Sequence, residues 1–455
     1  MHPSEPDIGA RILRIGVGSG HQRSDPVAEI GAQAGTHLRP WSRSEIARVV
    51  VTGLVLAGLL TAVHAATTHQ PLIDLKVYRL GARAFLNGQS PYARRFPGVG
   101  LPYTYTPFST LVFAPMAMLP WGLVKAVHTG ASIFGLFITV VLVTRDLEGD
   151  EWSAGRILSV SSAATVVFFA SEPMLQTLGL GQINLVLMGL IAVDLLALRS
   201  SRWAGVILGI AAGIKLTPLV FVLYLLALRR FRTAVVALVT AAATLVVGWA
   251  LMPQPSHLYF TKLAYEPQRV GNPRYVVNQS LDGLWTRMMG GYTAGHHLWT
   301  ISVIVTLPVG IWAARQVNAR FGEACGMAVC AGTGLLVSPI SWTHHWVWWL
   351  VPGLALALAA YHRRSRAIAV AAAFVAALFA VGPVWLIDPA EDRRVTPVGW
   401  QRPVAEAYVL AAIAGLAVIT AWLVATRNRP MPPVGTGSDR DRYRRLFGTR
   451  SADGR

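Results

Sequence analysis

Residues 229–251 read RRFRTAVVALVTAAATLVVGWAL, a pattern that returns many times along the chain. After Arg232 the stretch holds no charged side chain, and it has about the 20 residues that an α-helix needs to cross the core of a bilayer. Arg229, Arg230 and Arg232 come first, and basic residues collect at the cytoplasmic ends of membrane helices. The stretch therefore predicts a membrane-spanning helix that begins at the cytoplasmic side.

Composition extends this interpretation to the whole chain. Of the 455 residues, 53% are hydrophobic and 14% are charged, and the mean hydropathy is +0.47. These values exclude a set of soluble domains and predict an all-α, polytopic membrane protein with about twelve transmembrane helices. The predicted spans are residues 47–66, 122–144, 156–170, 182–198, 203–213, 216–228, 232–251, 298–314, 323–338, 346–361, 367–387 and 404–426. They form one transmembrane domain, residues 47–426, between a disordered cytoplasmic tail at 1–46 and a basic cytoplasmic tail at 427–455.

The positions of the arginines also predict the orientation of the chain. With the amino terminus inside the cell, arginines such as Arg199, Arg202, Arg363 and Arg364 fall in short connections on the cytoplasmic side. This leaves the long connections 67–121, 252–297 and 388–403 on the outer, periplasmic face of the plasma membrane, together with two predicted short turns at residues 171–181 and 339–345. Both termini are therefore predicted to be cytoplasmic, and an active site is predicted on the outer face.

The charge balance is strongly basic, with 40 Lys and Arg against 22 Asp and Glu and a formal net charge of +18. Basic cytoplasmic loops explain such an excess in a membrane protein, so we predict no nucleic-acid partner. The basic carboxyl tail is expected to contact anionic membrane lipid. Basic residues persist in the outer connections, for example Lys76, Arg79 and Arg269, and they suggest an acidic ligand such as a lipid phosphate.

The first outer connection contains a predicted amphipathic helix with an acidic residue at its start. Apolar residues recur at helical spacing from Leu72 to Leu86, as in a helix that lies in the membrane interface. A partly desolvated carboxylate at Asp74 would have a raised pKa and could serve as a general base. Alternatively, Asp74 only caps a helix of residues 75–87. Residues 107–119 are apolar but too short for a full span, and they predict a re-entrant segment.

Polar residues also gather at the predicted outer ends of later spans. In SPISWTHHW, residues 338–346, His344 and His345 are adjacent and must point in different directions, so we predict no metal site there. These histidines either bind phosphate or hydroxyl groups or cap a helix. Lys215 lies between two apolar halves, where a cation either pairs with an anion such as a phosphate or snorkels to the interface.

Two further segments offer groups for binding a sugar. In GLGQIN, residues 179–184, the amides of Gln182 and Asn184 could bind hydroxyl groups or cap a helix. In LPYTYTPF, residues 101–108, Tyr105 stands beside a proline-flanked apolar segment, although tyrosine is common at the membrane interface in any case.

These motifs, in this order, resemble those of glycosyltransferase family 87. The segments that carry the resemblance are DLKVY (74–78), GARAFLNG (81–88), PY (91–92), YTP (105–107), GQIN (181–184), KLTP (215–218) and SPISWTHHW (338–346). The similarity extends over about residues 47–426. It implies the type C glycosyltransferase fold and the activity of a polyprenyl-phosphate-mannose-dependent α-(1→2)-mannosyltransferase of mycobacteria and their relatives. Thr106-Pro107 departs from the two prolines that are frequent in the family, which affects the expected shape of the re-entrant segment.

The resemblance further implies substrates and residue roles. The donor would be a polyprenyl-phosphate sugar, and the acceptor a glycolipid or lipoglycan: a phosphatidylinositol mannoside, lipomannan or lipoarabinomannan. Transfer from a β-linked mannosyl phosphate to an α-linkage requires inversion, and no cofactor is expected. The catalytic aspartate of the family matches Asp74, and its histidine matches His344 or His345, of which His344 is preferred. The other predicted substrate-binding residues are Lys215, Gln182, Asn184, Tyr78 and Tyr105.

Two other functions remain open from the sequence. One is an arabinofuranosyltransferase with the same fold that uses decaprenyl-phosphate arabinose. The other is a transporter of a polyprenyl-linked sugar, but transporters tend to have internal repeats and polar residues near the bilayer midplane. The polar residues of this chain gather on one predicted face, which favours an enzyme.

Overall fold

A computed structural model describes residues 39–67, 71–92, 95–96, 98–387 and 397–427, which all belong to one compact unit, His37–Arg455. The regular secondary structure of these residues is helical. In the described residues no strand forms, and β pairing is limited to an isolated bridge between Asn278 and Trp342. The predicted all-α class is therefore confirmed for this part of the chain. Most of the two predicted tails, residues 1–38 and 428–455, lies outside the described residues.

The helices are numbered in chain order. Up to residue 227 they are α1 (Arg43–Thr67), α2 (Ile73–Leu86), α3 (Pro107–Met118), α4 (Trp121–Glu148), α5 (Ala154–Phe169), α6 (Glu172–Leu180), α7 (Asn184–Ala192), α8 (Val206–Ile214) and α9 (Val220–Ala227). Those that follow are α10 (Phe231–Leu251), α11 (Pro253–Thr261), α12 (Pro267–Val270), α13 (Leu281–Met288), α14 (Tyr292–Phe321), α15 (Glu323–Val337), α16 (Leu350–Arg363), α17 (Arg366–Val381), α18 (Gln401–Ala405) and α19 (Ala407–Ala425). A 3₁₀ turn, Thr343–Trp349, leads directly into α16.

Several helices are long and apolar enough to cross a membrane. Of the described residues, five helices meet this criterion, namely α1, α4, α10, α14 and α19, and a sixth crossing results if α5 and α6, bent by 73°, form one broken span. Among the shorter apolar helices, α15 and α17 occupy two other predicted spans, and α3 occupies the segment that was predicted to be re-entrant. These helices fit a membrane protein.

The prediction of a short turn at residues 171–181 is wrong, because this segment forms α6. Pro173 stands in the first turn of the helix, where its missing N–H costs nothing. Gly181 ends the helix with a left-handed backbone (φ 71°), and its N–H donates to the carbonyl of Leu178 at 3.1 Å. The chain therefore approaches α7 from a fixed direction, which places the GQIN motif.

Small residues allow close contact between helices that carry the motifs. Gly135 of α4 and Gly189 of α7 face each other so closely that a Cβ on Gly189 would lie 2.8 Å from the Cα of Gly135. A Cβ on Gly213 of α8 would lie 2.2 Å from the Oγ1 of Thr244 in α10. Such contacts between small residues are typical of membrane helix interfaces, and they hold α7 and the end of α8 in place.

The predicted amphipathic helix is confirmed as α2. It starts after Leu72, whose backbone is left-handed (φ 45°) and whose N–H donates to the carbonyl of Gly179 at 3.2 Å. Asp74 lies in the first turn and is not the capping residue, so the alternative role of Asp74 as a helix cap is not observed. On the other side of α2, the guanidinium of Arg79 donates to the carbonyls of Met116 and Leu119 at the end of α3.

Candidate active site

A cavity of about 510 Å³ is lined by α2, the α6–α7 junction, the end of α8 and the turn before α16. Its wall combines segments that are far apart in the sequence. Seven of the eight predicted site residues line it: Asp74, Tyr78, Tyr105, Gln182, Asn184, Lys215 and His345. The eighth, His344, is buried outside the wall. The structure thus brings most of the predicted residues together.

Asp74 is one of two carboxylates that line this cavity, the other being Glu266. The side chain of Asp74 is half-buried, and withdrawal from water raises its pKa to about 6. A hydrogen bond with the side chain of Gln182 and the positive charge of Lys215 both oppose this shift, since they favour the ionised form. A carboxylate with this pKa is largely ionised at neutral pH and is basic enough to accept a proton from a hydroxyl group.

Two tyrosines and an amide form a compact hydrogen-bonded group beside Asp74. The hydroxyl oxygens of Tyr78 and Tyr105 are 2.7 Å apart, and each is 2.9 Å from Oε1 of Gln182. The two hydroxyl groups supply only two protons for these three contacts, so the group has no spare donor. Because Oε1 of Gln182 accepts from the tyrosines, its amide nitrogen is the atom left to donate to Asp74.

Lys215 places a cation in the same cavity. It follows the last turn of α8 with an extended backbone, and its Nζ donates to Oδ1 of Asn184 at 3.1 Å. The same Nζ lies 3.5 Å from Nε2 of His345 and 5.6 Å from the centre of the Tyr105 ring. Burial lowers the pKa of Lys215 to about 8, and the charge of Asp74 partly opposes this shift.

The two histidines have different environments. Their rings are 4.7 Å apart and nearly perpendicular, and only that of His345 lines the cavity. The carbonyl of His344 accepts hydrogen bonds from Thr177 Oγ1 at 2.8 Å and Asn184 Nδ2 at 2.9 Å. Burial and the nearby Lys215 charge lower the pKa of both histidines, so both rings are neutral. The position of the rings therefore favours His345 over the sequence-based preference for His344.

The 3₁₀ turn explains why His345 rather than His344 reaches the cavity. A 3₁₀ helix has three residues per turn, so residues three apart share a face. Trp342, His345 and Trp348 all line the cavity, together with Val347, whereas Thr343, His344 and Trp346 do not. This spacing was present in the sequence but carries meaning only once the turn is known to be 3₁₀ rather than α-helical.

A second segment fixes this turn in position. The backbone N–H of Gln279 donates to the carbonyl of Ser341 at 2.7 Å, and that of Thr343 donates to the carbonyl of Val277 at 3.0 Å. The side chain of Asn278 accepts from the N–H of Ser341 at 2.9 Å. These bonds tie residues 277–279 of the long connection after α10 to the motif that contains the histidines.

Several other residues of the wall were not singled out from the sequence. Tyr259 and Arg269 come from the connection after α10, Trp342 immediately precedes the 3₁₀ turn, and Trp348 lies within it. The basic residues of that connection did suggest an acidic ligand, but nothing in their spacing shows which of them faces the cavity. Among the residues that the structure describes, no three His, Cys, Asp or Glu side chains are grouped as metal ligands are.

Comparison with known proteins gives a consistent family assignment. Residues 103–339 match the profile of glycosyltransferase family 87. The chain is 32% identical over 393 residues, 81% of its length and 91% of the relative, to a polyprenol-phosphate-mannose-dependent alpha-(1-2)-phosphatidylinositol mannoside mannosyltransferase of Mycobacterium tuberculosis. It is 33% identical over 388 residues to the Mycolicibacterium smegmatis protein of the same name, covering 80% of this chain and 88% of the relative.

A relative with a different acceptor in its name is also similar. It is a polyprenol-phosphate-mannose-dependent alpha-(1-2)-phosphatidylinositol pentamannoside mannosyltransferase of Mycobacterium tuberculosis, 31% identical over 426 residues, 89% of this chain and 94% of the relative. No solved structure matches the chain.

Proposed function

The chain belongs to glycosyltransferase family 87, and from this we propose that it transfers mannose from a polyprenyl-phosphate-mannose donor to a phosphatidylinositol mannoside acceptor. That it is a glycosyltransferase follows from the family and from the mycobacterial relatives. Their names support this donor and a phosphatidylinositol mannoside acceptor. Lipomannan and lipoarabinomannan stay alternative acceptors, which the resemblance to the family suggests. The relatives also favour mannose over arabinose as the transferred sugar, and an enzyme over a transporter.

One observation carries the chemical part of the proposal: a carboxylate and a cation line the same cavity. In the proposed reaction, the acceptor oxygen forms a bond to the anomeric carbon while the bond from that carbon to the phosphate oxygen breaks. Asp74 accepts the proton of the acceptor hydroxyl. Attack from the side opposite the phosphate inverts the anomeric centre, as a β-linked donor and an α-linked product require.

The departing polyprenyl phosphate gains negative charge, and groups that are already in place would stabilise it. Lys215 supplies a positive charge, and the neutral imidazole of His345 can donate a hydrogen bond. Asn184 holds Lys215 in position through the 3.1 Å bond to its Nζ. Apolar residues of the wall, such as Met188 and Phe221, offer a surface for the first isoprene units of the donor.

Gln182, Tyr78 and Tyr105 would orient the base rather than react. The two tyrosines hold Oε1 of Gln182, which directs its amide nitrogen towards Asp74. A hydrogen bond from this amide nitrogen to one carboxylate oxygen of Asp74 would leave the other oxygen facing the acceptor hydroxyl. We therefore infer that these three residues are positioning residues, and that they contact hydroxyl groups of the sugar where they line the cavity.

The membrane arrangement is part of the proposal. We infer about twelve membrane segments within residues 47–426, with the broken and shorter helices completing the spans and α3 forming the re-entrant piece. The arginine distribution supports cytoplasmic tails at 1–46 and 427–455 and an active site on the outer face. The cavity lies between segments that this topology assigns to the outer side.

Substitution of the base provides the test. The purified full-length chain is supplied with radiolabelled decaprenyl-phosphate mannose or decaprenyl-phosphate arabinose and with a phosphatidylinositol mannoside. We expect transfer of mannose only, and a fall in kcat of about 10²-fold or more for Asp74→Asn. Asp150→Asn, at an exposed position after the end of α4, is the matched control and should transfer at the parental rate. A folded Asp74→Asn protein with parental kcat, or use of the arabinose donor alone, contradicts the proposal.

A further inference from the structure

Arg269 is a cation of the cavity wall that the proposed reaction does not use. It lies in the short helix α12, and its half-buried side chain lines the same cavity as Asp74 and Lys215. Its Nη2 donates to the carbonyl of Tyr103, and the guanidinium lies 5.4 Å from the centre of the Tyr92 ring. The tyrosine contacts fix the guanidinium in place, so it is a preorganised group at the cavity wall.

The charge of Arg269 is not neutralised by an ion pair. Within the described part of the chain no carboxylate lies within 4.0 Å of it, although Glu266 is near enough to favour its charged form. Glu266 is itself paired with Lys262 at 4.0 Å. Burial lowers the pKa of Arg269; Tyr92, Tyr259 and the charge of Glu266 oppose this shift, and the positive charge of Arg95 adds to it.

The hydrogen-bonding capacity of Arg269 is also largely unused. A guanidinium has five N–H donors in a planar fork that fits two oxygens of a phosphate. Among the described residues, only the carbonyl of Tyr103 accepts from it. Partial burial of a guanidinium whose N–H groups lack partners is unfavourable, because these groups lose hydrogen bonds to water. An anion bound at this position would supply acceptors for them. The geometry therefore calls for an anionic ligand at this part of the wall.

The ligand must be distinct from the group that Lys215 would bind. Lys215 contacts Asn184 and His345, whereas Arg269 belongs to the group of Tyr92 and Tyr103, so the cavity has two separate cationic groups. The proposed reaction brings two phosphates, one in the donor and one in the headgroup of the acceptor. Because the donor phosphate is adjacent to the reacting carbon, it belongs with Lys215, and the acceptor phosphate is left for Arg269.

We propose that Arg269 forms an anion subsite for the phosphodiester of the acceptor lipid. This inference rests on the proposed function, because it takes a phosphatidylinositol-based acceptor as given. The subsite selects acceptors by charge at a point away from the hydroxyl that reacts. It gives Arg269 a role in acceptor specificity and none in the chemical step.

Binding measurements test this without requiring turnover. The full-length chain in phosphatidylcholine nanodiscs, which carry no net charge, is titrated with a phosphatidylinositol mannoside and with a neutral alkyl mannoside that has the same terminal sugar. We expect Arg269→Gln to raise the Kd for the anionic acceptor by at least about tenfold, as loss of a charged hydrogen bond does, and to change the neutral Kd less than twofold. Arg269→Lys should retain part of the preference, since it keeps the charge but not the fork.

The matched control is Lys262→Gln, which removes one positive charge from the same connection at a residue that does not line the cavity. It should leave both dissociation constants within twofold of the parental values. In the transfer assay, Arg269→Gln should raise the KM for the anionic acceptor and leave the KM for the donor unchanged.

The outcomes separate the inference from the proposed function. If Arg269→Gln weakens binding of both acceptors equally, Arg269 has a structural role and the subsite is overturned. An unchanged Kd for the anionic acceptor also overturns the subsite. A raised KM for the donor instead assigns Arg269 to the donor phosphate, which also overturns it. The parental chain could also fail to transfer mannose while Arg269→Gln still loses binding of the anionic acceptor alone. That result supports the subsite and contradicts the proposed reaction.

Discussion

Asp74 and Lys215 carry opposite charges into one cavity, and burial moves their pKa values towards each other. The pKa of Asp74 rises to about 6, and that of Lys215 falls to about 8. Between these values both groups are charged, so a base and a cation are present together. Below the first value Asp74 is protonated, and above the second Lys215 is neutral.

We therefore expect kcat/KM, which reports the groups of the free enzyme, to depend on pH as a bell, with an acidic limb near pH 6 and an alkaline limb near pH 8. Lys215→Arg should extend activity to higher pH, because a guanidinium stays charged throughout this range. Steady-state rates between pH 5 and 9 provide the check. An alkaline limb that is the same in parent and Lys215→Arg would mean that Lys215 does not set it.

The two adjacent histidines should differ in their effect on rate. The ring of His345 lines the cavity beside Lys215, whereas the hydrogen bonds of His344 run through its backbone carbonyl, which any residue retains. His345→Leu should lower kcat by about 10²-fold, the usual effect of removing a donor to developing charge. His344→Leu is the matched control and should lower kcat less than tenfold. A larger loss for His344→Leu would assign the catalytic contact to that residue instead.

Among the elements, the 3₁₀ turn of residues 343–349 is held in place by contacts with residues 277–279, which a buried ion pair stabilises in turn. Arg287 of α13 pairs with Glu406 through two contacts of 2.5 Å, and both side chains are almost fully buried. The same guanidinium donates to the carbonyls of Tyr275 at 2.7 Å and Asn278 at 2.9 Å. Because residues 277–279 bind the turn, this ion pair supports the position of His345 from a distance.

Removal of one partner of this pair should be costly. Arg287→Met leaves the carboxylate of Glu406 buried without its partner, and we expect a loss of about 3–5 kcal/mol of stability together with reduced kcat. The double variant Arg287→Met with Glu406→Leu should recover much of the stability. Thermal unfolding in detergent provides the measurement, with Arg39→Gln as the control, since the Arg39 side chain is exposed where it pairs with Glu45 and an exposed ion pair adds little stability. Equal unfolding temperatures for the single variant and the parent would contradict this role.

For the whole molecule, the predicted orientation in the membrane is open to a direct test. Lys262 is exposed in the connection that we assign to the outer face, and Trp203 is exposed at the cytoplasmic end of the predicted span 203–213. In a chain with Cys325→Ala and Cys330→Ala, a membrane-impermeant maleimide should label Lys262→Cys in intact cells. Trp203→Cys should react only after the cells are opened. The cysteine-free chain controls for background, and the opposite labelling pattern would invert the topology.

Much of this architecture follows from local sequence patterns. Long apolar runs predict α1, α4, α10, α14 and α19 because a helix is the backbone form that satisfies its own hydrogen bonds in lipid. Helical spacing from Leu72 to Leu86 likewise predicts α2. The segment that became α6 was predicted as a turn, since its nine residues are too few for a span and its helical character depends on packing as much as on periodicity.

The sequence by itself determined the membrane class, the family and the set of chemical groups, because apolar run length and short motifs are local properties of the chain. Tertiary structure alone decided which of two neighbouring imidazoles faces the cavity and that Arg269 shares it with Asp74. The segments that form the cavity wall are up to about 270 residues apart in the sequence. The distances between their side chains depend on how the helices pack and how the connections are anchored, and no local sequence pattern encodes either.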